Sequence, residues 1–241
     1  VVNVNKQRLT EALDYLNKLT AQEGGKVALQ DDFSDNFEVE FDNKTKESIW
    51  EIQYSINDGS STGGKINRSE GLNHPFGWGG FICCGFHHIS YSMGNAFKTG
   101  PDGLPMFDTY NNTSYADGAG AFFNDNTFDP RFNHTIAAPG LPWKYDPDLL
   151  FEERGVRNAA EYGYFKSIKE LPRPNCGCLL YDGWQFNSMN KRMIRYDEVL
   201  LWKAEVLIQL DRHNESLELI NKVRERAANS TGRLVKKDGS P

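Results

Sequence analysis

The sequence predicts a mostly α-helical protein built on helix pairs, with a long loop-rich region between its helical segments. Two observations indicate the helices: apolar residues recur at three- and four-residue steps in residues 6–22 and again in 195–228. A third observation indicates the loops, because glycine, asparagine, aspartate, proline and aromatic residues dominate residues 57–190.

The first element is an amphipathic helix over residues 6–22, whose apolar face consists of Leu9, Leu13, Leu16 and Leu19. Residues 48–56 (SIWEIQYSI) then alternate apolar and polar side chains, which predicts a short, partly buried extended segment. We expect Trp50 of this segment to lie in the core.

A structureless loop as long as 57–190 is unusual inside a compact domain. Either this region binds a ligand and folds on its own aromatic residues, or it contains short helices that the pattern hides. The segments HHISYSMGNAFKT and DLLFEERGVRNAAEY are the best candidates for such helices.

The last two elements are antiparallel helices over residues 194–210 and 215–228, with Asn214 as the N-cap of the second. Arg224 and Arg226 occupy the helix end where the dipole favours cations. Trp202 is expected to pack. The predicted contact residues are Leu200, Ala204, Leu207, Leu217, Ile220 and Val223.

Charge and hydropathy exclude two classes of function. The formal net charge is −6 and no basic tract is present, which argues against nucleic acid as a partner. No run of eighteen apolar residues could cross a bilayer. The chain starts without Met or a signal peptide and stops abruptly, so we expect a fragment that is incomplete at both ends.

The segment IRYDEVLLWKAEVLIQLDRHNESLELINKVRERA, residues 194–227, resembles the C-terminal repeat hairpin of the SusD/RagB family. Three upstream pieces agree in order: ESIWEIQYS (47–55), AFKTGPDGLPMFD (96–108) and FDPRF (128–132). The resemblance covers roughly residues 6–230. It departs from the family pattern at Asp197, where alanine is usual, and at Trp202-Lys203.

The resemblance implies a single SusD-like domain over residues 1–241, with stacked tetratricopeptide-like helix pairs as its frame. Family members are surface lipoproteins of the outer membrane that cover a TonB-dependent, SusC-like transporter. They bind oligosaccharides, or in some members peptides, and have neither catalytic residues nor cofactors. Membrane contact would be made only by a lipid anchor that lies outside this fragment, and residues 57–190 would form the binding region.

Aromatic side chains in that region are the candidate ligand platforms, since flat rings stack on the apolar faces of sugars. Four are singled out by their glycine-, proline- or aspartate-rich surroundings: Trp78, Trp143, Tyr145 and Trp184. The polar partners expected beside them are Asn73, Asp146 and Asn187. For each tryptophan, burial in the core is the competing interpretation.

Two cysteine pairs invite several interpretations. Cys83-Cys84 and Cys176-x-Cys178 lack the spacing of a closed zinc site. The extracytoplasmic location that the family implies, together with the even cysteine count, predicts a disulfide from Cys83 or Cys84 to Cys176 or Cys178. Free buried thiols are also compatible with the sequence.

Further functions compete with glycan capture. Asp125, Asn126 and Asp129 could bind calcium, although turn formation explains them better. Glu152 and Glu153 could suggest a secreted glycan hydrolase, although adjacent carboxyl groups point apart. A helical-repeat scaffold that contacts only protein would have the same helix pairs, and peptide capture would fit the same family.

Overall fold

A computed structural model of the chain describes residues 5–61, 63–182 and 184–234. Its α-helices are Lys6–Thr20 (α1), Tyr91–Asn95 (α2), Ala119–Asn124 (α3), Arg131–Thr135 (α4), Ala159–Tyr162 (α5), Tyr196–Gln209 (α6) and His213–Asn229 (α7). Short 3-10 helices span Phe33–Phe37, Val39–Phe41, Arg68–Glu70, Tyr115–Asp117 and Glu153–Gly155. None of the helices in the described ranges is long and apolar enough to cross a membrane.

The strands are short, and most pair as two-stranded ribbons. They are Ser48–Ile52 (β1), His88–Ile89 (β2), Lys98–Thr99 (β3), Thr127–Phe128 (β4), Ile136–Ala137 (β5), Pro142–Trp143 (β6), Asp146–Leu150 (β7), Phe165–Ser167 (β8), Leu179–Asp182 (β9), Trp184–Asn187 (β10) and Lys191–Arg195 (β11). The antiparallel pairs are β1–β11, β3–β4, β6–β7 and β9–β10, and β8 lies between β2 and β5 in a three-stranded sheet.

The chain divides into two compact units. Unit 1 consists of the described residues of Val1–Asn36, Phe41–Gln53 and Lys191–Ser230, and unit 2 of those of Phe37–Glu40, Tyr54–Asn190 and Thr231–Pro241. The three long helices all belong to unit 1, whereas unit 2 combines short helices and strands. The predicted single SusD-like domain and its tetratricopeptide-like stacking stay predictions.

Unit 1 is the part whose secondary structure the periodicity predicted. Helix α1 begins after Asn5, whose side chain accepts a hydrogen bond from the Arg8 amide at 3.1 Å, and it buries Leu13. Strand β1 forms where an extended segment was predicted, but Trp50 is 58% exposed, so its predicted core position is wrong. Ile49 packs on the core of this unit, and alternation along the strand turns its neighbour outward.

Helices α6 and α7 form close to their predicted bounds, with α7 starting slightly earlier than expected. Helix α7 begins at His213 after Arg212, so the prediction of Asn214 as N-cap is wrong. The Arg212 guanidinium instead bonds the Glu215 carboxylate in the first turn, with both N–O distances 2.6 Å. Trp202 is 45% exposed and does not pack as predicted.

The buried face of α7 differs from the predicted one. Leu200, Ala204, Leu207 and Val223 are buried as predicted and Ile220 is half-buried, but Leu217 is 54% exposed. The residues of α7 that are buried are Ser216, Val223, Arg226 and Ala227. Leu217 faces outward because Arg226, predicted to be a terminal surface cation, lies on the inner face of the helix.

Arg226 is the centre of a buried charge network in unit 1. Its Nη1 lies 2.6 Å from Glu47 Oε2 and its Nη2 lies 3.3 Å from Asp197 Oδ2. Glu47 Oε2 also accepts the Gln30 amide at 2.7 Å, and Arg195 pairs with Asp197 at 3.0 Å. Burial raises the pKa of Asp197, while Arg195 acts to lower it. Asp197, the departure from the family pattern, is therefore a partner of two arginines.

Unit 2 has two aromatic cores. The first contains Trp78, Phe81, Ala137, Trp143, Phe151, Val156, Ile168 and Leu171. The second contains Tyr115, Phe122, Phe132, Ile136, Ala138 and Phe165. His74 is fully buried, and its ring centroid lies 5.6 Å from that of Phe81. Burial and then the charge of Lys166 lower the pKa of His74 to about 4.

The short helices predicted within residues 57–190 are confirmed. The segment HHISYSMGNAFKT contains α2, and DLLFEERGVRNAAEY contains α5 and a 3-10 helix. Both are only one or two turns long because the chain between them makes strand pairs and buries aromatic rings. Short helices thus coexist with packing of the region on its own aromatic residues, and ligand binding by this region stays a prediction.

Overpacking of the α6–α7 contact should destabilise unit 1. Ala204 is 2% exposed, so Ala204→Leu adds side-chain volume where no space exists and should lower the free energy of unfolding by about 1–3 kcal/mol. Urea unfolding followed by circular dichroism measures this. Glu205→Leu, one residue along on the exposed face, is the matched control, and equal losses for both variants would contradict the packing.

Removal of the Arg226 guanidinium should be costlier than an ordinary surface change. Arg226→Ala leaves the fully buried Glu47 carboxylate without its cation, so we expect a loss of about 3–5 kcal/mol. Arg224→Ala, in the same helix and more exposed, should cost less than about 1 kcal/mol. Thermal denaturation measures both losses. Equal losses of stability for the two variants would show that the buried charge network contributes little to stability.

Acidification should destabilise the protein through His74. The unfolded chain takes up a proton near pH 6.5, whereas folded His74 does so only near pH 4, so stability is complete above 6.5 and is lost as pH falls towards 4. From pH 7 to pH 5 this contribution is about 2 kcal/mol. His74→Leu should flatten this part of the pH profile in urea unfolding, whereas His213→Asn, at an exposed position, should not.

Candidate functional site

Two of the predicted ligand platforms, Trp78 and Trp143, are core residues. Trp78 is 2% exposed and Trp143 is 0% exposed, and their ring centroids lie 5.6 Å apart. The Trp78 indole nitrogen donates to Glu152 Oε1 at 3.1 Å, and that of Trp143 donates to the Pro172 carbonyl at 3.1 Å. A ring that is buried on both faces cannot stack on a sugar, so we remove both residues from the candidate site.

The glycines around Trp78 do not expose it, although their abundance suggested an open loop. Gly77, Gly79 and Gly80 have φ values of +60°, +62° and +87°, which glycine adopts without steric cost. These turns direct the indole into the core of unit 2. The pattern therefore indicated a tight bend in the chain and gave no information about which way the side chain points.

Tyr145 is half-buried and already engaged. Its hydroxyl lies 2.8 Å from His134 Nδ1. It lines a hollow of about 10 Å³, together with Asn133, Ile136, Leu141, Pro142 and Leu234. A hollow of that size holds about one water molecule, so Tyr145 contributes no sugar-sized site here.

Trp184 is the predicted platform that lies at the surface. It is 51% exposed at the start of β10, opposite Asp182 of β9. Its indole makes no hydrogen bond or ring contact with any residue that the structure describes. Of the four predicted residues, Trp184 alone offers an open ring face.

Tyr181 is a second exposed ring on the β9–β10 hairpin, and the sequence did not single it out as a platform. It is 54% exposed and pairs with Gln185, whose Nε2 donates to the Tyr181 hydroxyl at 2.8 Å. Gln185 Oε1 also accepts the Ile82 amide at 3.1 Å. Since successive residues alternate between the faces of a ribbon, Tyr181 and Trp184 lie on opposite faces of the hairpin.

The polar residues predicted beside the platforms serve local structure. Asn187 is fully buried; its side chain donates to the Glu170 carbonyl at 3.3 Å and accepts the Met189 amide at 3.0 Å. Asn73 donates to Glu70 at 2.8 Å, and Asp146 accepts the Asp148 amide at 3.0 Å. Of the three, only Asp146 is exposed, so hydrogen-bonding partners for a ligand must come from elsewhere.

A cleft of about 450 Å³ in unit 2 adjoins the start of β9. It is lined by Glu38, Val39, Glu40, Pro172, Arg173, Pro174, Asn175, Cys176, Gly177, Cys178 and Met189. At its wall Glu38 lies 3.1 Å from Lys144 Nζ and 3.8 Å from Arg173. Burial lowers the pKa of Lys144, and the Glu38 carboxylate opposes that shift. The half-exposed Arg173 is a polar group that this cleft presents to solvent.

The cysteines pair within each motif, so the predicted disulfide between the motifs is wrong. Cys83 is bonded to Cys84, and Cys176 is bonded to Cys178. A turn brings the second pair together, since the Leu179 amide donates to the Cys176 carbonyl at 3.0 Å and the two Cα atoms are 5.0 Å apart. That separation is within the ordinary range for a disulfide.

Two of the acidic residues that could have suggested calcium binding or hydrolysis, Asp129 and Glu152, have structural partners. Asp129 bonds the Arg131 guanidinium at 2.9 and 2.6 Å, as expected for a turn with a fixed arginine. Glu152 bonds Arg154 at 2.9 Å, and this contact lowers the pKa of Glu152. A glycosidase acid needs a raised pKa instead. The exposed rings and cleft of unit 2 are suited to binding.

Comparison with solved structures finds the same fold in several Bacteroides proteins. A SusD-like protein from Bacteroides fragilis NCTC 9343 matches with a TM-score of 0.57 and 15% identity over 92% of this chain and 44% of its own. A SusD-like carbohydrate binding protein from the same strain has a TM-score of 0.58 and 20% identity over 92% and 41%. Surface glycan-binding protein A from Bacteroides uniformis matches with a TM-score of 0.51 and 22% identity. That match covers 92% of this chain and 38% of the glycan-binding protein.

This chain thus spans about two fifths of the length of those structures. No curated protein matches it. The family model described as the SusD family matches residues 46–239, which is most of the chain. The resemblance carried by the RYDEVLL segment is therefore confirmed over strand β1, the part of unit 2 between β1 and β11, and helices α6 and α7. The chain belongs to the SusD family.

Proposed function

We propose that the protein is the glycan-binding component of a TonB-dependent outer-membrane uptake system, in which it captures oligosaccharides at the cell surface for import. The observation that carries the proposal is the open indole face of Trp184 on the β9–β10 hairpin of a SusD-family chain. Two structures with the same fold are named as a carbohydrate binding protein and a surface glycan-binding protein.

The chemistry of the hairpin supports sugar binding. An indole presents a large apolar face, and the C–H groups of a pyranose ring lose little by leaving water to cover it. The hairpin is held in place by the Gln185–Ile82 hydrogen bond and by the bridge between Asn67 and Asn187. A platform that is fixed before the ligand arrives loses little conformational entropy on binding.

Membership of the SusD family supports a proposal for the location and the partner of the protein. In this proposal the protein is held at the outer-membrane surface by a lipid anchor and serves a SusC-like transporter. Capture followed by import requires binding without chemical change of the ligand. Glu152 forms an ion pair with Arg154. This pairing supports a binding role for the protein over a hydrolytic one.

Removal of the Trp184 ring should weaken glycan binding and leave folding intact. Trp184→Ala removes one stacking face, so we expect an affinity loss of about 1–3 kcal/mol, or about tenfold to a hundredfold. Affinity electrophoresis and calorimetry of the full chain against soluble neutral and acidic polysaccharides measure the loss. An assay of new reducing ends should stay at background, and release of sugar would favour a glycan hydrolase.

Two other tryptophans provide matched controls. Trp202→Ala removes an indole of similar exposure from α6 in unit 1 and should change neither affinity nor melting temperature. Trp143→Ala empties a core position and should cost about 3–5 kcal/mol of stability. If Trp184→Ala binds every polysaccharide as tightly as the unaltered protein, the site lies elsewhere. Binding of peptides alone would favour a peptide-binding member of the family.

A further inference from the structure

Arg157 of unit 2 is held between two phenyl rings. Its guanidinium carbon lies 4.7 Å from the centroid of Phe76 and 4.9 Å from that of Phe86. Its Nε donates to the Cys84 carbonyl at 2.7 Å, and its backbone amide donates to the Gly85 carbonyl at 3.4 Å. The side chain is thus contacted by two rings and held along one edge by a hydrogen bond.

The backbone beneath this clamp leaves no room for adjustment. Gly85 has a φ of +76°, and a Cβ at that position would meet Arg157 N at 2.8 Å and Phe76 Cβ at 2.9 Å. Only glycine fits so close an approach. The close packing around Gly85 therefore holds the backbone of Arg157 beside Phe76.

No carboxylate among the described residues pairs with Arg157. Within the described ranges it makes no ion pair, and the terminal nitrogens of its guanidinium donate no hydrogen bond. Arg154, Arg192 and Arg226 differ, since each is paired with a carboxylate. Phe76 and Phe86 are 44% and 43% exposed, so the clamp lies at the surface. Its free edge presents forked donors of the kind that match a carboxylate.

Lys166 and His87 lie beside Phe86 of the clamp, and burial lowers the pKa of Lys166 to about 7. Lys166 Nζ donates to the Phe86 carbonyl, and the charge of Lys166 lowers the pKa of both His74 and His88. His87 adds to the lowering at His88. The carboxylate that acts on Lys166 is Glu70, which is 2% exposed and bonded to Asn73, so it offers nothing to a ligand at the surface.

The clamp is linked to the face of the β9–β10 hairpin that carries Tyr181, which is opposite the face of Trp184. The Ile82 amide donates to Gln185, which in turn bonds the Tyr181 hydroxyl, and Ile82 is 51% exposed. Two residues further along, the Cys84 carbonyl holds Arg157. One short segment, from Ile82 to Cys84, thus connects the Tyr181 side of the hairpin to the Arg157 guanidinium.

We propose that Arg157 is a carboxylate-binding subsite, and that the glycan recognised by this protein carries a uronic acid. The carboxylate would accept hydrogen bonds from the two terminal nitrogens of the guanidinium, while the edges of Phe76 and Phe86 cover the apolar part of the sugar. This inference rests on the proposed glycan-binding function and specifies its ligand class. The clamp keeps the guanidinium oriented before binding, which favours a planar, bidentate partner over a diffuse anion.

The test compares acidic oligosaccharides with neutral counterparts of the same size. Oligomers of galacturonate, glucuronate and mannuronate are titrated into the full chain by calorimetry, each beside its carboxyl-reduced form. At least one acidic oligomer should bind about tenfold to a hundredfold more tightly than its reduced form, and salt should diminish the difference. Arg157→Gln should remove the preference, and Arg157→Lys should remove most of it because an ammonium cannot form the fork.

Arg154→Gln is the matched control, because that guanidinium already bonds Glu152 and should not contribute to the preference. If neutral glycans bind and no acidic oligomer exceeds its reduced form, the subsite is refuted while the glycan-binding function stands. If no glycan of either kind binds, the glycan-binding function itself fails. A folded Arg157→Gln variant that keeps the full preference for acidic oligomers would place the carboxylate site elsewhere. If the variant unfolds, the comparison of acidic with carboxyl-reduced oligomers on the unaltered protein still tests the proposal.

Discussion

The buried pairing of Arg226 with Glu47 and Asp197 is the constraint on which unit 1 depends. It joins α7 to the start of α6 and to the residue just before β1. A buried cation has to keep its partners, since an uncompensated charge in the interior is far costlier than a missing apolar contact. The face of α7 that contains Arg226 must therefore point inward, and this orientation leaves Leu217 in solvent. The buried charges therefore decide which face of α7 points inward, and the apolar residues of the helix do not.

In unit 2 the same residue types serve as core and as surface. Trp143 is enclosed by Trp78 and Phe151, whereas Trp184 has an open face on a two-stranded ribbon. The difference arises from the backbone, because glycines with positive φ bend the chain around Trp78 and strand alternation sets the direction of Trp184. A large aromatic content thus supplies both a packed core and a few rings that remain exposed.

The binding chemistry proposed for the protein uses the guanidinium of Arg157, which makes no ion pair with any described residue. Most arginines and carboxylates with described partners are engaged in ion pairs, such as Asp129 with Arg131. Arg157 is held as firmly as these are, but by ring faces and a carbonyl group, so its charge stays available. Family membership supports carbohydrate binding in general, and the proposed uronic acid specificity rests on the guanidinium of Arg157 beside the exposed rings of Phe76 and Phe86.

The sequence by itself determined the three long helices, the β1 strand and the family, since periodicity and ordered motifs are local properties of the chain. It also named four candidate rings, of which Trp184 is exposed, and its role in binding stays a prediction. Tertiary structure alone decided that Trp78 and Trp143 are core, that the cysteines pair within their motifs, and that Arg157 meets Phe76 and Phe86. Burial and side-chain contact depend on residues distant in sequence, and in a region of short strands and tight turns no local pattern encodes which side of the chain faces solvent.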